Sequence, residues 1–319
     1  MTKMLMVAPN VREDRVERLR EAHPNVEFVV PESRDGVLDE IGDADAVFGS
    51  ISEAEYRAAE QLRWIQSSSA GVEWLANAPG VVASDVVVTN MRGAHAATIA
   101  EHAFAMLLAL TRALRGFQEF QDRQEWGRGK LNTRLVGIKG LTMGIVGFGN
   151  IGRQIARRAH GFEMEVLAVD AQAVPASDGV AEVWPLARLD DLCRASDVLV
   201  IAAPITPETR GMIGKAQLGL LKDGAYVLAM SRGGIVDEPA LLDALTSGKL
   251  AGAGLDVTAT EPLPVDDPLW TAPNTIVTPH NSPSSKLTTD LVWSMLEENL
   301  GRFERGEVLA NVVDKRAGY

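Results

Sequence analysis

Arg232, Glu261 and His280 each stand just beyond an apolar run of strand character, at 225–230, 251–257 and 275–278. In open α/β sheets ligands bind outside the carboxyl ends of the strands, so side chains at these positions can reach a bound molecule. Arg232 precedes Gly233-Gly234, a turn flexible enough to aim a guanidinium into a crevice, where it would hold a carboxylate through two parallel hydrogen bonds. His280 follows Thr278-Pro279, where the proline ends the strand. A carboxylate such as Glu261 beside an imidazole favours its protonated form and fixes its orientation, which suits proton transfer near neutral pH. The three residues can therefore supply anchoring, tuning and proton transfer.

A second group of residues has the types needed to hold a phosphate-bearing ligand. Gly147-Phe148-Gly149-Asn150-Ile151-Gly152 follows the apolar run 141–146 and opens the helix-like stretch 154–160. In that setting Gly147 permits the tight turn, Gly149 lets backbone approach a pyrophosphate, and Gly152 lets the helix pack on its strand. The free amides and positive dipole end of the helix then face the phosphates. A further strand-like run at 165–169 ends in Asp170, about twenty residues on, where an acid can accept hydrogen bonds from an adenosine ribose. Ala203 and Pro204 follow the strand-like run 198–202, and Met230 and Ser231 precede Arg232. All four are placed with the dinucleotide site.

The elements that position these residues repeat a strand and helix rhythm. Strands are predicted at 4–8, 26–30, 46–48, 64–66 and 86–88, with helices at 13–22 and 53–62, and the rhythm restarts at 141. Ala44-Asp45-Ala46-Val47-Phe48 and Ser196-Asp197-Val198-Leu199-Val200 echo one another, each with an aspartate leading into a strand. The fold class expected is α/β, with two Rossmann-like or flavodoxin-like domains whose parallel sheets are covered by helices. Residues 286–303 place Leu287, Leu291, Met295 and Phe303 on one helix face. That helix is predicted to return to the first domain, leaving it discontinuous: 1–97 plus 285–319 as substrate domain, 98–284 as dinucleotide domain. Residues 98–114 read as one helix apolar on most faces, which must be covered by protein nearly all round. A polar arm at 118–133 carries Trp126. Helix and arm, about 98–135, are expected to form a dimer contact.

Composition narrows the function classes. The net charge is −12 with dispersed acids, which indicates neither a nucleic-acid footprint nor an acidic tail. The single cysteine, Cys193, allows no disulfide or thiolate metal site within one chain and fits a reducing, cytoplasmic setting. Five scattered histidines offer no pair at metal-ligand spacing, so no metal is expected. His95, in the loop before the long helix, reads as a capping or solvated histidine with a role near the substrate as the alternative, and His102 as a structural one inside the apolar helix. The apolar start at 1–9 is too short for a secretory signal and is followed by Arg12, Glu13, Asp14 and Arg15. The stretch 99–110 is too short to span a membrane.

The combination of the glycine motif, Ser231-Arg232-Gly233 with Val236-Asp237-Glu238, Gly254-Leu255-Asp256-Val257 with Glu261-Pro262-Leu263, and Thr278-Pro279-His280 resembles the D-specific 2-hydroxyacid dehydrogenase family. The likeness runs from Ser69-Ala70-Gly71-Val72 to Asn311-Val312-Val313-Asp314. It implies a discontinuous substrate domain, an inserted NAD-binding domain with a cleft between them, and a homodimer. It also implies that Arg232 binds the substrate carboxylate and carbonyl, that His280 is the acid/base, and that Glu261 supports it. By the same resemblance Asn150 and Ile151 line the pyrophosphate, Asp256 faces the nicotinamide amide, and the backbone of Ser69, Ala70 and Gly71 receives the substrate carboxylate. The expected activity is hydride transfer between NAD(H) and a small 2-oxo or 2-hydroxy acid of the glyoxylate, hydroxypyruvate or D-lactate type. A dinucleotide-sensing protein like the corepressors of this fold, or a dehydrogenase of formate or phosphite, is the alternative. The formate enzymes carry glutamine where this chain has Glu261.

Overall fold

The structure, a computed structural model, describes residues 1–9 and 11–316; the end of the expected 285–319 segment, 317–319, lies outside the described residues. The chain divides into two compact units, Met1–His95 with Ser285–Tyr319, and Ala96–Ser284.

The first unit opens with β1 (Thr2–Met6), α1 (Glu13–Ala22), β2 (Val26–Val29), α2 (Val37–Glu40), β3 (Ala46–Phe48), α3 (Glu53–Ala58), β4 (Trp64–Gln66), α4 (Pro79–Ala83) and β5 (Val87–Thr89). The strands pair in parallel in the order β2-β1-β3-β4-β5. Strands β3 and β4 are buried at every position, and burial on both faces explains why they read as apolar runs rather than alternating patterns, whereas β2 alternates buried and less buried positions. Helix α3 starts where the sequence can satisfy its first amides. Ser52 accepts from the Glu55 amide while the Glu55 carboxylate accepts from the Ser52 amide, a reciprocal cap.

The second unit holds α5 (Ala96–Thr111), α6 (Leu114–Asp122), β6 (Thr142–Val146), α7 (Asn150–Gly161), β7 (Glu165–Asp170), β8 (Val183–Pro185), α8 (Leu189–Ala195), β9 (Val198–Ile201), α9 (Lys215–Leu220), β10 (Ala225–Ala229), α10 (Glu238–Thr246), β11 (Leu250–Leu255) and β12 (Thr275–Val277). Seven parallel strands run in the order β12-β11-β10-β9-β6-β7-β8. The order reverses at β6, so the glycine loop that follows β6 lies at the topological switch point, where such sheets bind ligands. Strand β8 has no counterpart in the sequence reading, because Val183-Trp184-Pro185 is too short and proline-bearing to signal a strand.

The helix expected at 98–114 is instead two. Ala113 adopts a left-handed φ of 51°, and α5 and α6 meet at 65°. At the break the Ala113 amide donates to the Leu110 carbonyl, a tightened last turn, and the Thr111 carbonyl accepts from the Val136 amide instead of continuing the helix. Helix α5 packs on α7, β10 and β11, and Phe104 stacks on Phe162 with ring centroids 5.1 Å apart. No single helix among the described residues is long and apolar enough to cross a membrane.

Helix α11 (Lys286–Glu304) returns to the first unit. Its buried residues are Thr288, Trp293, Leu296, Asn299 and Leu300, whereas Leu287 and Leu291 are 51% and 38% exposed. Of the four residues expected on the contact face, Met295 and Phe303 do pack against the first-unit core, Phe303 with its ring centroid 5.2 Å from that of Trp64, whereas Leu287 and Leu291 lie at its margin. Buried apolar residues Trp293, Leu296 and Leu300 seat the helix, and buried polar groups join them. The Asn299 amide donates to Gln66 Oε1 at 2.8 Å. The same oxygen accepts from the Thr89 hydroxyl at 2.8 Å, which in turn accepts from Trp64 Nε1 at 2.8 Å.

Candidate active site

The site residues of the second unit follow consecutive parallel strands. Ser231 and Arg232 come after β10, Glu261 after β11, and His280 after β12, and these three strands are neighbours in the sheet. Two loops lie in direct contact: a Cβ on Gly233 would sit 1.9 Å from the Thr258 carbonyl oxygen. Glycine at 233 is thus what allows the Arg232 turn to pack on the loop that bears Glu261. That loop is pinned by its own amides. Thr258 donates to Glu261 Oε1 at 3.1 Å, and Ala259 donates to Glu238 Oε1 at 2.6 Å.

Glu261 and His280 meet at 2.8 Å, Oε2 against Nδ1, and both are a little over one third exposed. An ionised carboxylate only accepts, so Nδ1 carries the hydrogen and Nε2 is left to exchange a proton with a ligand. His280 has a left-handed φ of 52°, an uncommon conformation for a residue with a side chain. The turn is held from behind by Asp256, whose side chain is fully buried. Its Oδ1 accepts from the Thr278 hydroxyl at 2.6 Å and from the Asn281 amide at 3.0 Å, and its Oδ2 accepts from the Ser282 amide at 3.1 Å. His102 was expected to be a structural histidine of the apolar helix; its Nε2 lies 3.0 Å from the Thr278 hydroxyl.

The dinucleotide motif takes the conformation its glycines permit. Gly147 has φ +92°, and a Cβ there would lie 2.6 Å from Ala203 backbone. On Gly152 it would lie 2.3 Å from the Gly147 carbonyl. On Gly149 it would meet no atom within 4 Å, which leaves an open face before the amino end of α7. No side chain caps that helix among the described residues, so its first amides remain available to an anion. Asn150 is exposed and Ile151 half-buried. Asp170 does not simply project outward. Its oxygens accept from the Phe148 amide at 2.7 Å and the Gln172 amide at 2.9 Å, which fixes a negative charge beside the loop and leaves acceptor capacity for a ribose. Ala203 is buried and Pro204 exposed. Met230 and Ser231 are buried, and the Ser231 hydroxyl meets no partner among the described residues, an unsatisfied group that a ligand could complete. These features fit a bound dinucleotide.

In the first unit, the carbonyls of Ser69, Ala70 and Gly71 are all engaged. They accept from the Met91 amide at 3.0 Å, Asn90 Nδ2 at 2.8 Å and the Ser69 hydroxyl at 2.7 Å. The Ala70 and Gly71 amides meet no acceptor among the described residues, so this segment, exposed at Ala70, keeps donors that an anion could engage.

A parallel sheet with a glycine loop at its switch point and a histidine–carboxylate pair at its carboxyl edge defines a dinucleotide-binding protein equipped for proton transfer. Residues 104–282 match the family described as D-isomer specific 2-hydroxyacid dehydrogenase, NAD binding domain, and the chain belongs to that family. It is 34% identical to the glyoxylate reductase of Korarchaeum cryptofilum over 89% of this chain and 87% of that protein. It is 32% identical to the D-3-phosphoglycerate dehydrogenase of Methanocaldococcus jannaschii over 98% of this chain, which spans 60% of that longer protein. Among solved structures it is similar to a D-isomer specific 2-hydroxyacid dehydrogenase family protein from Aeromonas salmonicida, with TM-score 0.85, 31% identity and coverage of 98% of this chain and 99% of the other.

Proposed function

We propose that the chain is an NAD(H)-dependent oxidoreductase that interconverts a small 2-oxo acid and the D-2-hydroxy acid. The observation that carries this reading is the 2.8 Å contact of His280 Nδ1 with Glu261 at the edge of a domain that matches an NAD-binding family. The nicotinamide supplies or accepts the hydride when bound. The chain supplies the rest. Arg232 holds the substrate carboxylate and polarises the adjacent carbonyl, and the amides of Ala70 and Gly71, with Ser69, receive the carboxylate. Protonated His280 gives its Nε2 proton to the carbonyl oxygen as charge develops there, and Glu261 holds the imidazolium that makes this possible. Gly147, Gly149, Asn150, Ile151 and Gly152 take the pyrophosphate and Asp170 the adenosine ribose. Ala203, Pro204, Met230, Ser231 and Asp256 complete the dinucleotide site. Residues 1–97 with 285–319 serve as substrate domain and 98–284 as dinucleotide domain.

The relatives named glyoxylate reductase and hydroxypyruvate reductase, 34% and 32% identical, favour a two- or three-carbon substrate of that type. Trp126, 92% exposed in the segment after α6, supports a homodimer built on α5 and the arm. The single cysteine fits a cytoplasmic location. Turnover of NADH with a panel of 2-oxo acids, followed by assignment of product configuration, tests the reading. A D-2-hydroxy acid from at least one member is expected. Exclusively L product, or no turnover on any member, contradicts it.

A further inference from the structure

We propose that His102 is a positioning residue for His280, acting through Thr278 and Asp256. The proposal rests on the reading of His280 as the proton donor. It begins with the cost of the conformation His280 adopts. A side-chain-bearing residue at φ 52° persists only where its surroundings over-determine it. Here one residue does much of that. The His280 amide donates to the Asp256 carbonyl at 2.8 Å. The next two amides, of Asn281 and Ser282, donate to the Asp256 carboxylate at 3.0 and 3.1 Å. Displacing Asp256 therefore displaces the backbone of the catalytic turn. This differs from what Glu261 does, since Glu261 orients the ring.

The proton count in the chain behind Asp256 has one solution. The Asp256 carboxylate can only accept, so the Thr278 hydroxyl, 2.6 Å from Oδ1, gives its single proton there. Toward His102, 3.0 Å away, the same hydroxyl has only lone pairs to offer. His102 Nε2 must then carry a hydrogen and donate it. The reverse arrangement, with Thr278 donating to His102, would set a hydroxyl lone pair against a buried carboxylate oxygen. His102 thus holds the Thr278 proton on Asp256 and ties helix α5 to the turn that carries His280. His102 Nε2 is also 3.8 Å from Asp256 Oδ1, so a misdirected hydroxyl would leave two acceptors facing one another with no proton between them.

The test is a set of variants measured by steady-state kinetics, NADH binding and thermal unfolding. His102→Leu removes the donor, and His102→Gln places an amide N–H at a comparable reach. With the histidine turn loosened, His102→Leu is expected to lower kcat about tenfold, consistent with misplacement of a catalytic group, while NADH affinity stays within about twofold. His102→Gln is expected to recover most of the loss, and both variants are expected to unfold within a few degrees of the parent. In a His280→Ala background, His102→Leu is expected to have almost no further effect, because positioning an absent side chain changes nothing. Parent-like kcat in His102→Leu overturns the proposal, as does equal loss in the glutamine variant or full additivity with His280→Ala. If His280→Ala itself keeps parent kcat, the reading of His280 as proton donor fails, and the role of His102 with it.

Discussion

At Arg232 the side chain and the backbone around it carry separable tasks. Arg232→Lys keeps a positive charge but loses the planar fork that engages a carboxylate twice. The expected outcome is a rise in KM for the 2-oxo acid together with a fall in kcat/KM, measured at saturating NADH. Gly233→Ala tests the backbone. Its Cβ would overlap the Thr258 carbonyl at 1.9 Å, so the Arg232 turn must lift from the loop of Glu261, and kcat/KM is expected to fall by about 10²-fold. Glu238 gives a pH-dependent prediction. Burial pushes its carboxyl above the usual carboxylate range, helped by the nearby charges of Asp267, Asp237 and Glu261 and opposed by the Ala259 amide. The folded state therefore holds this proton more tightly than the unfolded chain does, and stability falls as pH rises from the ordinary carboxylate pKa through the folded one. Glu238→Gln keeps an acceptor for Ala259 and drops the charge. Its thermal midpoint is expected to exceed the parent's at about pH 7, with the gap closing toward about pH 4. Arg232, Glu261 and His280 are visible in the sequence because each follows an apolar run and lies next to a turn-forming residue, Gly233, Pro262 and Pro279 respectively. The contact of His102 with Thr278 is not, since the two are 176 positions apart and the helix pattern around His102 reads only as buried surface. Asp256 is visible as a polar residue at a strand end, but its carboxylate's hold on residues 281 and 282 depends on a turn that no periodicity describes.

Helices show where hydrophobic patterning stops being informative. The stretch 98–114 counts as continuous apolar helix, yet Ala113 turns left-handed and α6 departs at 65°, where the distant Val136 amide takes the Thr111 carbonyl. Likewise α11 is seated in part by Asn299, which a search for apolar spacing passes over. The Asn299 side chain also accepts from the Ala310 amide at 2.7 Å and donates to Gln66. Asn299→Leu leaves those buried partners unsatisfied and is expected to destabilise the protein by about 1–3 kcal/mol, read as a lowered midpoint in denaturant with unchanged slope. Central strands such as β9 and β10 are legible in the sequence because burial on both faces makes each a short apolar run bounded by polar turns, whereas the edge strand β8, only partly buried, is not. Trp126→Ala is expected to shift sedimentation toward the monomer at micromolar protein, and a parent chain that sediments as a monomer there removes the proposed dimer.

For the whole molecule, the choice of dinucleotide follows from where fixed charge lies. Asp170 is held in place by two backbone amides, so in the proposed dinucleotide site its negative charge would oppose a 2′-phosphate. The arginine closest in sequence to the glycine loop, Arg153, lies over the Phe148 ring at 4.8 Å and donates to the Pro175 carbonyl at 3.0 Å. A higher kcat/KM with NADH than with NADPH is expected, and an equal or higher value with NADPH contradicts it. The measurement that bears most directly on the catalytic assignment is a comparison of parent and His280→Ala for both NADH binding and kcat on the preferred 2-oxo acid. Loss of the proton donor is expected to lower kcat by about 10²–10⁴-fold while NADH binds within about twofold of the parent. Parent-like kcat in His280→Ala, or a loss of NADH affinity large enough to account for the lost rate, contradicts the assignment of His280 as the group that protonates the substrate.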